Sequence, residues 1–252
     1  MKIIKAGYEI VRPNFNNPGW KEAIYSVIER AGRVCYQSGM PADVGSGDFI
    51  RRLVARGHES VLEHAVMSVI FTVDRGISHE LVRHRLASYS QESTRYCNYS
   101  KDKFGNEITV IEPCFFNDIS DKDKTTIHNW IRQDRCDEMN KAGFSEHQIA
   151  YANWCDGCLN AEGKYFTLLD DGSKPEEARD VLPTSVKTTV FMTANMREWR
   201  QIFRLRAAGE HGTPHPQMRE VMVPLFKEVR SLMPELFDDI LLPEERDQVL
   251  KG

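Results

Sequence analysis

A chain of 252 residues with 41% hydrophobic and 28% charged side chains can build a core, which excludes a disordered, collagen-like or disulfide-scaffold protein. Its 33 Lys and Arg against 37 Asp and Glu give a net charge of −4, so no overall basic field recruits nucleic acid. No apolar run approaches the ~20 residues of a membrane helix, and Met1 to Gly7 turns polar too soon for a signal peptide; a soluble cytoplasmic protein that binds no membrane is expected.

Residues Lys2 to Pro13, rich in Ile, Tyr and Val, read as a strand closed by Pro13. From Trp20, the apolar residues Ile24, Val27, Ile28, Ala31, Val34 and Cys35 recur at helical spacing. A second helix over about Asp48 to Arg56 carries Phe49, Ile50, Leu53 and Val54, with Gly57 as its C-terminal cap. Ala65 to Val73 is β-rich, and Asp74-Arg75-Gly76 turns it into another helix. The polar stretch 113–170 reads as a peripheral helical layer, with helices near 121–141 and 145–168 and a loop at Asp170-Asp171-Gly172-Ser173. Val186, Thr188, Val190 and Met192 alternate as a strand, followed by a helix over about Met196 to Ala208. A Gly/His/Pro-rich loop, Gly209 to Pro216, leads to a last long helix over about Gln217 to Leu232. Strands and helices mix without βαβ alternation, and no G-x-G-x-x-G opens a helix. The expectation is therefore one α+β domain over 1–252, a mixed or antiparallel sheet flanked by helices, with no Rossmann motif.

The six cysteines read as ordinary thiols; a structural zinc at Cys155-Asp-Gly-Cys158, near a helix end, would need a second pair or nearby histidines, and only Cys136, His128 and His147 are close in sequence. Gly57-His58-Glu59-Ser60-Val61-Leu62-Glu63-His64 invites a zinc-protease reading, but its histidines are six apart rather than four, and the segment reads as a turn into a strand. No metal is expected.

Polar chemistry concentrates in Arg83-His84-Arg85 through Tyr96. Arginine forks match phosphate oxygens bidentately, and Ser or Thr hydroxyls with turn amides add donors, so the segment suits an anion. On a helical wheel Ile77, Ser78, Leu81, Val82 and Leu86 fill one half, with Arg85 among them, while His79, Glu80 and Arg83 lie opposite. Arginines leaving in two directions suit an element at a subunit boundary. A second concentration is Asn195 to Arg206. There Arg197, Arg200, Gln201 and Arg204 make a polar face, and Arg206 sits within about 60° of Trp199, Ile202 and Phe203, as for a site that holds a flat, partly anionic ring.

Arg83-His84-Arg85, seven residues, then Ser93 resembles the R-H-R-x7-S signature of the flavin-dependent thymidylate synthases. Ser88, Arg95 and Tyr96 extend the resemblance. Gly57-His58-Glu59-Ser60, Ala178 to Pro183, Asn195 with Arg197, Leu205-Arg206 and His215 to Arg219 look like family blocks in the family's order. Only the stretch between about 113 and 170 lacks one.

The resemblance implies methylation of dUMP to dTMP with methylenetetrahydrofolate as carbon donor, NADPH as reductant and FAD as hydride carrier, without a cysteine nucleophile. Arg206 matches the family arginine that stabilises negative charge on the uracil edge. By the same carry-over dUMP would be bound by Glu80, Arg83, Gln91, Glu92, Ser93, Thr94, Arg95, Arg179 and Arg206. FAD would be held by Ser60, Arg83, His84, Arg85, Gln91, Asn195, Met196, Arg197 and Gln201, drawn from different protomers of a homotetramer. The chain departs from the family pattern at Glu80, where many members have Gln, at Gln91, where many have Glu, and at Gln201, where Asn or His is common. FAD affinity is the property these exchanges bear on. Two rivals are a flavoprotein of this fold that only oxidises NADPH and a non-enzymatic nucleotide or RNA binder; the net charge disfavours the latter.

Overall fold

The computed structural model describes residues 1–11, 19–39 and 47–249. In chain order the elements are β1 (Lys2–Ile4), β2 (Gly7–Val11), α1 (Trp20–Tyr36), α2 (Gly47–Ala55), β3 (Val66–Asp74), α3 (Arg75–Leu81), β4 (Ala87–Gln91) and β5 (Thr109–Ile111). They continue as α4 (Asp121–Arg132), α5 (Glu146–Asp170), α6 (Pro175–Ala178), β6 (Lys187–Asn195), α7 (Met196–Arg206), α8 (Pro216–Leu232), α9 (Pro234–Phe237) and α10 (Pro243–Val249). β1 pairs in parallel with β5, β2 pairs antiparallel with β3, and the larger sheet has the order β2-β3-β6-β4. The expected α+β class with a mixed sheet is what the chain adopts.

The chain divides into two compact units with interleaved segments. The first comprises 1–6, 73–78 and 91–189; the second comprises 7–72, 79–90 and 190–252. The single strand expected from Lys2 to Pro13 is two, β1 in the first unit and β2 in the second, and Pro13 lies outside the described residues.

In the second unit, period-two alternation buries Met67, Val69 and Phe71 of β3 and Val190, Met192 and Ala194 of β6. α7 lays Trp199, Ile202 and Phe203 on this core, and the Trp199 indole donates to the Met67 carbonyl at 3.0 Å. Phe203 packs against Phe226 of α8 and Phe237 of α9. Asn195 caps α7 by accepting the Glu198 amide at 2.8 Å, which fixes where the helix starts.

In the first unit, α5 begins at a reciprocal Ser145–Gln148 capping box and buries Tyr151, Ala152, Cys155, Cys158 and Tyr165. These residues belong to the unit's hydrophobic clusters, so the stretch expected as a peripheral layer supplies core. Cys155 and Cys158 sit in the middle of α5 rather than near its end, and burial pushes their thiols up to about 12 and about 11. The helix expected near 121–141 stops at Arg132: Asp134 takes a left-handed φ of 55°, and a 3-10 turn follows at Cys136–Glu138.

Two further expectations change. Gly57 to His64 forms a 3-10 helix from Glu59 to His64 before β3 starts, rather than a simple turn. The helix carrying the arginine motif ends at Leu81, so the wheel drawn through residue 86 does not exist; Val82 and Leu86 are exposed. Tyr89 explains the stop. Its hydroxyl lies 2.8 Å from the carbonyls of both Leu81 and His84 and shares its one proton between them at the helix end, while the chain turns into β4.

Candidate nucleotide and flavin site

In the second unit the tight turn after α3 makes Arg83, His84 and Arg85 alternate: the two arginines are exposed and the histidine is 6% exposed. The arginine side chains make no ion pair or side-chain hydrogen bond among the described residues, so their charges are free for a ligand. His84 turns inward to the end of α7, where Arg206 meets it. Arg206 Nε donates to His84 Nε2 at 3.2 Å, Nη1 to Glu80 Oε2 at 2.9 Å, and Nη2 reaches the Glu80 carbonyl at 3.5 Å. Arg206 leans inward, but its partners are Glu80 and His84; Trp199, Ile202 and Phe203 lie in the core.

Burial, assisted by the Arg206 charge, pushes His84 from its usual 6.5 down to about 4. The unfolded chain therefore takes up this proton first on acidification. Stability from the neutral imidazole is fully present above pH 6.5 and is lost as pH falls toward 4, by roughly 3 kcal/mol. Urea midpoints compared at about pH 7 and about pH 4.5 should fall further for the native chain than for His84→Gln. Equal falls would remove His84 as the source.

Around the start of α7 the second unit has a trough of about 490 Å³ lined by Glu63, Leu86, Asn195, Arg197, Gln201 and Arg204, among others. A hollow of about 390 Å³ shares Glu63, Leu86 and Asn195 with it and adds Arg85 and Ser88. Arg197 pairs with Glu63 at 2.5 Å, both half-exposed. Asn195 spends its amide oxygen on the helix cap, which leaves its NH2 toward a ligand. Leu86, 73% exposed, offers an apolar surface at the rim. Ser60 is exposed on the 3-10 turn, whereas the Met196 side chain is fully buried and its backbone N–H donates to the Ala65 carbonyl at 2.9 Å.

The remaining expected residues form a second group in the first unit. Ser93 accepts the Arg95 amide at 3.3 Å, so the segment folds back as a turn. Thr94 is buried and accepts from Arg179 Nη1 at 3.4 Å; Arg95 is exposed and faces Glu176 at 3.5 Å. Ser93, Thr94, Arg95 and Arg179 therefore share one hydroxyl-and-guanidinium patch. Gln91 and Glu92 are directed elsewhere. The Gln91 amide donates to the hydroxyls of Ser78 and Thr188, and the Glu92 carboxylate takes Lys187 at 2.5 Å and the Tyr99 hydroxyl at 3.1 Å. The sequence reading missed Lys187, Tyr99 and Glu198; Lys187 and Glu198 are remote in sequence from Glu92 and His84, and Tyr99, seven residues after Glu92, is marked by no spacing. It also placed Arg200 on the polar face of α7, whereas Arg200 is fully buried between Glu59 and Asp239.

Among the described residues no group of three or more His, Cys, Asp or Glu is placed to hold a metal ion, and no helix is long and apolar enough to cross a membrane. Cys97 beside the motif has its thiol raised, chiefly by burial.

Exposed arginines beside a trough, and a separate Ser/Thr/Arg turn, are chemistry suited to anionic groups. The chain belongs to the Thy1 family, described as thymidylate synthase complementing protein, whose model matches residues 22–235. It is similar to the flavin-dependent thymidylate synthase of Geobacter sulfurreducens, 29% identical over 85% of this chain and 81% of that protein. The one from Mycobacterium tuberculosis is 28% identical over 85% and 78%. Among solved structures, a UMP/dUMP methylase, PolB, from Streptomyces cacaoi bound with 5-Br dUMP superposes with a TM-score of 0.64. It is 21% identical, and the match covers 94% of this chain and 95% of that one.

Proposed function

We propose that this protein is a flavin-dependent thymidylate synthase, making dTMP from dUMP with methylenetetrahydrofolate as carbon donor, NADPH as reductant and FAD as hydride carrier. The observation that carries this reading is Arg206, held between Glu80 and His84 at the end of α7 beside two free arginines. The names of the relatives and the R-H-R-x7-S motif support it.

The residues fit a flavin dinucleotide. The α7 N-terminus presents the positive end of the helix dipole, Arg197 and Asn195 line the trough, and Arg85 lines the hollow that shares Asn195 with it. Bound there, the flavin would supply the two-electron reduction that turns a transferred methylene into a methyl group. The chain's own residues do the rest. Ser93, Arg95 and Arg179 bind the dUMP phosphate, and Arg206 holds the pyrimidine and stabilises the negative charge that develops on it. A thiolate is not required, which agrees with the raised Cys97 thiol. Val34, Tyr36, Val66 and Leu86 are exposed apolar side chains of the second unit and support a homotetramer whose sites are shared between protomers.

The primary experiment is the visible spectrum of the purified protein with FAD and then dUMP, followed by tritium release from labelled dUMP. A flavin spectrum perturbed by dUMP, with release, is expected; a protein that binds no FAD and retains RNA would favour the binding-module reading. Arg95→Ala removes an exposed guanidinium from the phosphate patch and should weaken dUMP binding about tenfold or more, read by titration of that spectral shift. An unaltered affinity would take Arg95 out of the phosphate site.

A further inference from the structure

We propose that His84 is a positioning residue for Arg206: its bare Nε2 accepts the Arg206 Nε–H, and Glu198 holds the imidazole in the tautomer that can do so. The proposal rests on the reading that Arg206 works on the pyrimidine.

A guanidinium carries five N–H donors and no acceptor, so any group that steadies its Nε must be an acceptor. His84 meets that requirement in one form only. With Nε2 at 3.2 Å from Arg206 Nε, the proton must sit on Nδ1. Imidazolium, or the Nε2–H tautomer, would set two N–H groups against each other. On the other side of the ring, Glu198 Oε1 lies 3.7 Å from Nδ1, with both side chains largely buried at 6% and 11% exposure. The distance is too long for a hydrogen bond, and the acid acts through its negative charge, which favours a proton on the near nitrogen. The Glu198 backbone is fixed in the first turn of α7, because its amide is tied to Asn195.

The backbone of the histidine is anchored as well, since its carbonyl accepts from Tyr89 at 2.8 Å. The result is a line from Glu198 through His84 to the last residue of α7. Glu80 then takes Nη1, and the outer N–H groups of Arg206 remain for a ligand. Arg83 and Arg85 point outward on either side, so the two arginines of the motif face solvent while its histidine serves another side chain.

The test compares the FAD-loaded full chain with His84→Leu and His84→Gln. Gln places an acceptor near the Nε2 position and Leu does not. Turnover of dUMP should fall about tenfold to a hundredfold in the Leu variant, as expected for a loosened catalytic group, and recover largely in the Gln variant, with flavin retention unchanged in both. Equal loss of flavin in both variants, or native turnover in the Leu variant, overturns the proposal. The imidazole ¹⁵N resonances of the native chain provide a reading independent of turnover and of how the variants fold. Nδ1–H with a bare Nε2 is expected, and an Nε2–H form overturns the proposal even if dTMP is made. The expected tautomer in a protein that makes no dTMP would instead overturn the functional reading and leave the contact standing.

Discussion

Arg206→Ala should reduce dTMP formation by about 10²- to 10³-fold or more while leaving the fold intact. Removing one preoriented donor from a site of developing negative charge costs about 3 to 4 kcal/mol of transition-state stabilisation. The cost to stability is much smaller, because Arg206 ends its helix and is 22% exposed, and its partner Glu80 is 31% exposed. Such a pair is worth under about 1 kcal/mol, so the melting temperature should move little. Arg206→Lys is the sharper version. It keeps the charge but has no Nε–H for His84 and no planar fork for Glu80, and it should be almost as impaired as alanine. Native turnover in the lysine variant would mean that charge alone suffices; native turnover in alanine would remove Arg206 from the chemistry.

Much of this architecture was legible because the second unit follows simple periodicities. β6 alternates strictly, and Trp199, Ile202 and Phe203 mark the buried face of α7 at helical spacing, so elements and core could be read together there. The misses have physical causes. The wheel through residue 86 failed because a tyrosine hydroxyl eight residues after Leu81 satisfies the end of α3, a contact that periodicity does not register. The helix through residue 141 failed at Asp134, where one left-handed residue outweighs the favourable composition around it. In the site, the motif identified which side chains matter but not where they point. Arg83 and Arg85 look alike in sequence to Arg200 and Arg206, yet the first two are free and exposed and the last two are paired inward. What separates them is the position of acids far along the chain. The same holds for Gln91 and Glu92: adjacent to the Ser93 turn in sequence, they spend their polar atoms on Ser78, Thr188, Lys187 and Tyr99.

Arg200 turns that lesson into a second large effect. Its guanidinium is 1% exposed, takes both Asp239 oxygens at 2.8 and 2.6 Å, donates from Nε to Glu59 at 2.9 Å and from Nη1 to the Leu236 carbonyl. Burial alone would raise the Asp239 carboxyl, yet the hydrogen bonds from Arg200 hold it below the usual carboxylate range. Asp239→Ala leaves the buried cation with Glu59 as its remaining anion and should cost about 3 to 5 kcal/mol, the penalty for stranding an ion. Arg200→Met should cost less, about 1 to 2 kcal/mol. Its abandoned acids are better placed: Asp239 is 43% exposed, and Arg204 already lies 3.2 Å from it and 3.6 Å from Glu59. The order of the two variants is therefore the diagnostic, and urea unfolding of each at about pH 7 reads it directly. If Arg200→Met were the more destabilised, packing of the long side chain against the core, rather than its buried charge, would be what Asp239 and Glu59 serve.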